Sequence, residues 1–359
     1  MRLPDDMNEK EGMTPSIISA LGAVCAIIIL IVGVVLYLNR DKLEENSPSQ
    51  NVSAVLPTQT PVSENVEIGK SDLTPEDFDF WDMYPEPTPT PVEEVVEKEP
   101  EKEDPSTDGK HTKIINDNGE EEWILINKRL DMHSYDFTNL VSQSGLMRYF
   151  EEGEETSFVG VDISKYQDHV DFNKLKKAGV DFCMIRVGAR GYGTGQLILD
   201  EYFQENMKRA TDAGLDIGVY FFSQAITQDE VMEEANMVLE YIADYKVTYP
   251  VAFDMEYIEN DTARVEQLSK EEKTEIAKTY MDTIKAAGYT PILYGKKEWL
   301  ITELDLSELE DYDVWLSQYE DIPDYPYEFT MWQYTNQGNI DGISGKVDLN
   351  ISFIDYSEK

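Results

Sequence analysis

Asp254 and Glu256 stand two residues apart at the end of an apolar, branched run. On an extended strand, residues two apart share a face, with alpha carbons about 6.6 Å apart, so both carboxyls project the same way and Met255 turns into the opposite layer. Carboxyls that close suppress each other's ionisation, which lets one keep a proton near neutrality while its neighbour is charged. Cleavage of a glycosidic bond uses that division: a protonated acid serves the leaving oxygen, and an anion sits beside the positive charge developing on the sugar carbon. On this reading Glu256, the longer arm, holds the proton and Asp254 is the anion.

Taken alone, an Asp-x-Glu is more often a polar strand end than a catalytic pair. Here it has company. Asp162 closes an earlier strand candidate and Asp348 lies in the last one. Tyr166, Tyr220, Tyr294, Trp315, Tyr319, Trp332 and Tyr334 all lie at or just after strand ends, where flat rings with polar tips suit sugar faces. Each ring by itself is equally suited to filling a core.

The elements that must position these groups follow from periodicity. Strand candidates at 158–163, 181–187, 217–222, 249–256 and 291–294 alternate with amphipathic stretches at 171–178, 201–213, 228–245 and 270–287. Gly179, Gly214 and Gly288 stand at three of the helix exits. Further strands at 313–318, 329–334 and 347–351 have too little between them for crossover helices. Eight strands and about five helices predict an α/β fold, an irregular TIM-like (β/α)5(β)3 barrel over 157–359, with chemistry at the C-terminal strand ends. The glycine-rich stretch 188–195 fits neither dinucleotide nor P-loop spacing and is expected to be a flexible turn.

The residues before the barrel divide into four parts. Residues 1–16 form an expected cytoplasmic tail. Residues 17–38 carry no charge over 22 positions, span about 33 Å as a helix, and are predicted to cross the membrane once. The run is longer than a signal peptide's core, and no small-residue cleavage site follows it. Residues 39–111 read as a disordered acidic, proline-rich spacer. Between 41 and 104 there are 18 acids against 4 lysines, and ten of the chain's 16 prolines fall between 48 and 105. Residues 112–156 are expected to be a small extension with a β-hairpin turning at Asn118-Gly119.

With 72 acids against 30 bases, nucleic acid is excluded as a natural partner. Two cysteines, Cys25 and Cys183, offer no disulfide framework. His111, His133 and His169 are far apart in polar stretches, are expected at the surface, and make neither a zinc signature nor a histidine-based triad. No cofactor or metal is expected, although a cation held by the four acids is a further reading that spacing leaves open.

Six short motifs then taken together, GVDIS at 160–164, MIRVG at 184–188, AFDME at 252–256, VWLSQY at 314–319, MWQY at 331–334 and VDLN at 347–350, resemble glycoside hydrolase family 25. The resemblance covers 158–356. It implies a lysozyme of N-acetylmuramidase type, cutting the β-1,4 bond between N-acetylmuramic acid and N-acetylglucosamine in peptidoglycan. Carried over by position, it makes Glu256 the catalytic acid and Asp254 the group that stabilises the reacting centre, with Asp162 and Asp348 completing an acidic floor. Arg186 and Gln318 join the aromatics as substrate-binding residues. The chain departs from the family at Phe221, where many relatives carry His. With such a substrate the barrel is expected on the extracellular, cell-wall side of the membrane, acting as a monomer on glycan strands.

Two rivals remain. A chitinase-like barrel also ends its fourth strand in Asp-x-Glu, but normally with another Asp two positions earlier, where this chain has Ala252. A catalytically silent tether between membrane and wall would use the same scaffold without turnover.

Overall fold

The computed structural model describes residues 104–116, 119–258 and 262–359. The expected N-terminal tail, the membrane span at 17–38 and all but the last residues of the spacer lie outside these. Among the described residues, no helix is long and apolar enough to cross a membrane.

The extension opens with an antiparallel hairpin, β1 (His111–Ile115) and β2 (Glu121–Leu125). His111, assigned to the spacer from sequence, is thus the first residue of a strand. A three-stranded sheet follows, made of β3 (Leu140–Gln143), β4 (Leu146–Glu151) and β5 (Glu154–Glu155). The sheet lies against the barrel. The Tyr135 hydroxyl donates to the Phe329 carbonyl at 2.7 Å, and its ring stacks on Phe353 at 4.1 Å between centroids. His133, expected at the surface, is half-buried in this aromatic group, 5.1 Å from Phe137 and 5.7 Å from Phe329.

The barrel strands are β6 (Phe158–Ile163), β7 (Phe182–Arg190), β9 (Asp216–Ser223), β10 (Val251–Met255), β11 (Pro291–Lys296), β12 (Asp313–Ser317), β13 (Met331–Gly338) and β14 (Val347–Ser352), with a short β8 (Leu197–Leu199) folded back on β7. The eight pair in a closed ring because β6 bonds both β14 and β7. The stretch 188–195 is therefore the end of a strand and the turn of a β7–β8 hairpin, closed by Gly191 N donating to Gln196 O at 2.9 Å.

Five α-helices occur among the described residues: α1 (Phe172–Ala178), α2 (Phe203–Ala213), α3 (Gln228–Ile242), α4 (Lys270–Ala286) and α5 (Lys297–Thr302). Their boundaries follow capping chemistry. Asp171, Thr227 and Ser269 accept backbone N–H groups at the starts of α1, α3 and α4. Gly179 and Gly214 end α1 and α2 in the left-handed conformation. The helix expected to run to 245 stops at Ile242, and the fifth helix, counted but not placed from sequence, is α5.

Pairing is parallel from β6 through β13, whereas β14 is antiparallel to both its neighbours. This one reversal brings the start of β14 to the rim where the other strands end. Alternation then sorts side chains. Phe182, Met184, Ala252, Ile292, Trp315 and Met331 fill the interior, while Cys183, Ile185, Phe221, Phe253, Met255 and Trp332 belong to the layer under the helices.

Gly160 sits opposite Phe182 in the β6–β7 register, and a Cβ there would lie 2.2 Å from the Phe182 ring. The interior ring occupies the volume that the missing side chain leaves. Gly160→Ala is expected to destabilise the barrel by about 1–3 kcal/mol through overpacking. Urea denaturation measures this, and an unchanged midpoint would contradict the account.

Candidate active site

The strand ends carry the site. Asp254 on β10 and Glu256, one residue past its end, line one cleft of about 290 Å³ together with Asp162 and Asp348. The shared face expected for 254 and 256 is present, with Met255 in the outer layer. Tyr166, Arg186, Tyr220, Tyr294, Trp315 and Tyr319 also line the cleft.

Three expected binding residues do not. Trp332 and Tyr334 fall on the opposite phase of β13 from Gln333, so they face the outer layer. The Trp332 indole donates to the Gln318 carbonyl at 2.8 Å, and the Tyr334 hydroxyl accepts from Met147 N at 3.2 Å. The Gln318 side chain turns to Asp324, accepting from its N–H at 3.2 Å. Phe221 likewise points outward, fully buried, so the departure from the family at that position does not touch the cleft; Phe222 lines it instead.

Two side chains that sequence reading passed over organise the floor. The Gln333 Oε1 accepts from Tyr294 at 3.0 Å, Ser317 at 2.9 Å and Tyr319 at 2.9 Å, while its amide N donates to Asp162 Oδ2 at 2.9 Å. Asn350 donates to the same Asp162 oxygen at 2.8 Å and accepts from the Trp315 indole at 2.8 Å. An indole N–H can only donate, which fixes the orientation of the Asn350 amide. Sequence alone did not mark Gln333: residues 331–334 are all buried and both phases carry large side chains, so alternation could not tell the inward phase from the outward one.

Arg186 reaches the cleft because Asp200 holds it, with Nε to Oδ2 at 2.9 Å and a second guanidinium nitrogen at 2.7 Å. Asp200 is itself buried and also accepts from Lys165 N at 3.0 Å. The guanidinium lies 5.2 Å from the centre of the exposed Tyr166 ring, which borders the cleft mouth.

Burial governs the protonation of all four acids. Asp162 and Asp348 are direct cross-strand partners. Burial raises Asp348 first, the charge of Asp162 and a hydrogen bond to it add to this, and the Asp348 carboxyl is pushed up to about 9. Burial also raises Asp162, but the amides of Asn350 and Gln333 and the Asp348 proton oppose it, so Asp162 is the charged member. In the other pair, burial followed by the Glu256 charge pushes Asp254 well above the carboxylate range, and its Oδ1 is buried without a hydrogen-bond partner. Burial raises Glu256 too, yet Lys296, 3.4 Å away, favours its charged form. Asp254 thus lacks the neighbouring cation that Glu256 has in Lys296, so its charged form is the less compensated of the two. Lys296 was not among the residues singled out from sequence.

Comparisons with known proteins bear on this arrangement. The model of the family described as "Glycosyl hydrolases family 25" matches residues 161–343. Among curated proteins, the uncharacterized protein YegX of Escherichia coli strain K12 is 24% identical over 195 residues, covering 54% of this chain and 68% of its own. The autolytic lysozyme of Clostridium acetobutylicum is 25% identical over 192 residues, covering 53% of this chain and 54% of its own. The structure of the modular autolysin LytC from Streptococcus pneumoniae in complex with synthetic peptidoglycan ligand shares the fold, with a TM-score of 0.50 and 22% identity. It covers 67% of this chain, and this chain spans 56% of it.

The Asp348 proton gives a measurable consequence. Folded Asp348 keeps its proton up to about pH 9, whereas the unfolded residue loses it near 3.8. The folded state thus binds more protons across that window. The stability contributed is complete below the unfolded value and is lost as pH rises through the folded one, at no more than about 1.4 kcal/mol per pH unit for one proton. Asp348→Asn, which still donates to Asp162 but cannot titrate, should show a flatter dependence of denaturation free energy on pH between 5 and 9. Parallel curves for the two proteins would refute the assignment.

Proposed function

The chain belongs to glycosyl hydrolases family 25 and is a glycoside hydrolase, and from that premise we propose that it cleaves the β-1,4 bond between N-acetylmuramic acid and N-acetylglucosamine in peptidoglycan. The observation that carries this reading is the Asp254–Glu256 pair at one strand end, both carboxyls raised by burial in a single cleft. The name of the autolytic lysozyme relative supports the choice of polymer.

Glu256 lies nearer the mouth, with about a fifth of its side chain exposed, while Asp254 is 5% exposed beneath it. Glu256 is the group that reaches the glycosidic oxygen. Asp254 is its proton partner: the one proton held by the pair passes through Glu256 to the leaving oxygen. Both carboxylates are then charged, beside the positive charge that develops at the sugar carbon, and a water that adds to that carbon returns a proton to the pair. Burial delays the loss of that proton to higher pH, so the site works at mildly acidic to neutral pH. Arg186 and Tyr220, Tyr294 and Trp315 position the sugar, and the Gln333–Asn350 amides keep the Asp162 floor charged and fixed.

We further propose that residues 17–38 anchor the chain in the membrane and that the acidic, proline-rich segment carries the barrel, as a monomer, to the wall side. The support is the length and apolarity of the first segment and the composition of the second. Protease added to intact cells should digest the barrel, and full protection would overturn this topology.

Glu256→Gln should abolish release of reducing ends from purified walls while leaving the melting temperature close to wild type, because shape is kept and the transferable proton is lost. Retained turnover would sink the assignment. Lys296→Met should move the alkaline limb of the kcat/KM profile to higher pH, since the removed cation favours the charged form of Glu256. A limb displaced to lower pH would contradict the electrostatics. Mass spectrometry of the fragments identifies the bond: new N-acetylmuramic acid reducing ends are expected, and new N-acetylglucosamine reducing ends would refute the proposed cut.

A further inference from the structure

A second cavity, of about 870 Å³, lies beside the catalytic cleft, and Glu256 and Lys296 line both. One side of it is built by α5 and the residue after the catalytic acid, Trp299 and Tyr257. The other side is built by the β1–β2 hairpin, through Ile115, Asn116 and Glu122. That hairpin lies ahead of the segment 161–343 that the family model matches.

Both sides are held firmly. Ile114 is 2% exposed and packs into the core, and just past β2 the Asn127 N–H donates to the Tyr327 hydroxyl at 2.9 Å. Asn116 ties the two strands by donating to Glu122 at 2.6 Å. Ile115, next to the anchored Ile114, keeps 43% of its surface exposed. Across the groove, the buried Lys273 donates to the Tyr257 hydroxyl at 2.8 Å, that hydroxyl donates to Glu303 at 2.7 Å, and the Trp299 ring packs edge-on at 4.7 Å. A fixed aromatic floor and a fixed aliphatic wall therefore run on from the carboxyl that does the chemistry.

We propose that the hairpin is one wall of the substrate track, and that the groove takes the hexosamine units that continue past the bond being cut. The proposal rests on the glycan-cleaving reading above. The cleft alone, about 290 Å³, falls just below the roughly 300–1,000 Å³ usual for a ligand site, too little for a polymer segment on both sides of the reacting bond. The groove beside it supplies the missing length. Its lining bears Glu122, Glu256, Glu266, Glu298 and Glu303 against Lys296, so it suits the uncharged N-acetylglucosamine units of the strand better than units with a free carboxylate. Binding energy gained there is remote from the reacting carbon and is available to hold the strand in register at Glu256.

The test compares defined peptidoglycan glycan strands of two and of six disaccharide repeats as substrates of the full chain. Wild type is expected to prefer the longer strand in kcat/KM, and Ile115→Trp, which fills the groove, to cut that preference about tenfold. Ile115→Ser, which trims the wall, serves if the larger residue impairs folding, and should lower the preference in the same direction. Binding of both strands to the Glu256→Gln chain, with and without the Ile115 change, reads the groove without turnover. Cleavage with an unaltered length preference in a folded variant overturns the groove and leaves the activity standing. Loss of long-strand affinity on the Ile115 change, where the wild-type chain cleaves neither strand, overturns the activity and keeps the groove. Failure to bind either strand overturns both.

Discussion

The site is governed by one constraint: four carboxyl groups are gathered at a single barrel mouth with too little water and too few cations to ionise them all. The resolution is pairwise. Asp162 and Asp348 share a proton that rests on Asp348, and burial raises both Asp254 and Glu256, with Lys296 beside Glu256 alone. Lys296 can neutralise only the outer acid, and Arg186 is already engaged by Asp200. The protons that burial retains turn an acidic rim into acid–base machinery.

Such crowding is tolerable because Asp162, the charged member of its pair, accepts hydrogen bonds from two buried amides. Gln333 and Asn350 both aim amide donors at one oxygen of Asp162, and each is locked by donors that cannot reverse or that converge from several strands. The network links β6, β11, β12, β13 and β14. The same bonds that set protonation at the floor therefore knit the barrel where it closes, and closure depends on β14 running against its neighbours. Were β14 parallel, Asp348 would lie at the far end of the barrel.

The extension changes how the molecule meets a polymer. It is fastened to the barrel by tyrosine hydroxyls and an aromatic stack, and its hairpin stands where the catalytic cleft opens sideways. A segment that sequence reading left without chemistry thus borders the track that leads to Glu256.

Much of the fold was legible without coordinates. The strand at Phe158–Ile163, the alternation with helices, the exits at Gly179 and Gly214 and the shared face of Asp254 and Glu256 all follow from local periodicity and turn chemistry, which act over a few residues. Local rules could not say which phase of β13 faces inward, so Trp332 and Tyr334 read as sugar platforms when Gln333 is the residue that enters the site. Nor could they place Lys296 beside Glu256 or bring Asp348 opposite Asp162. Those are properties of distance and burial between segments far apart in the chain, and only ring closure, with its single reversed strand, sets them.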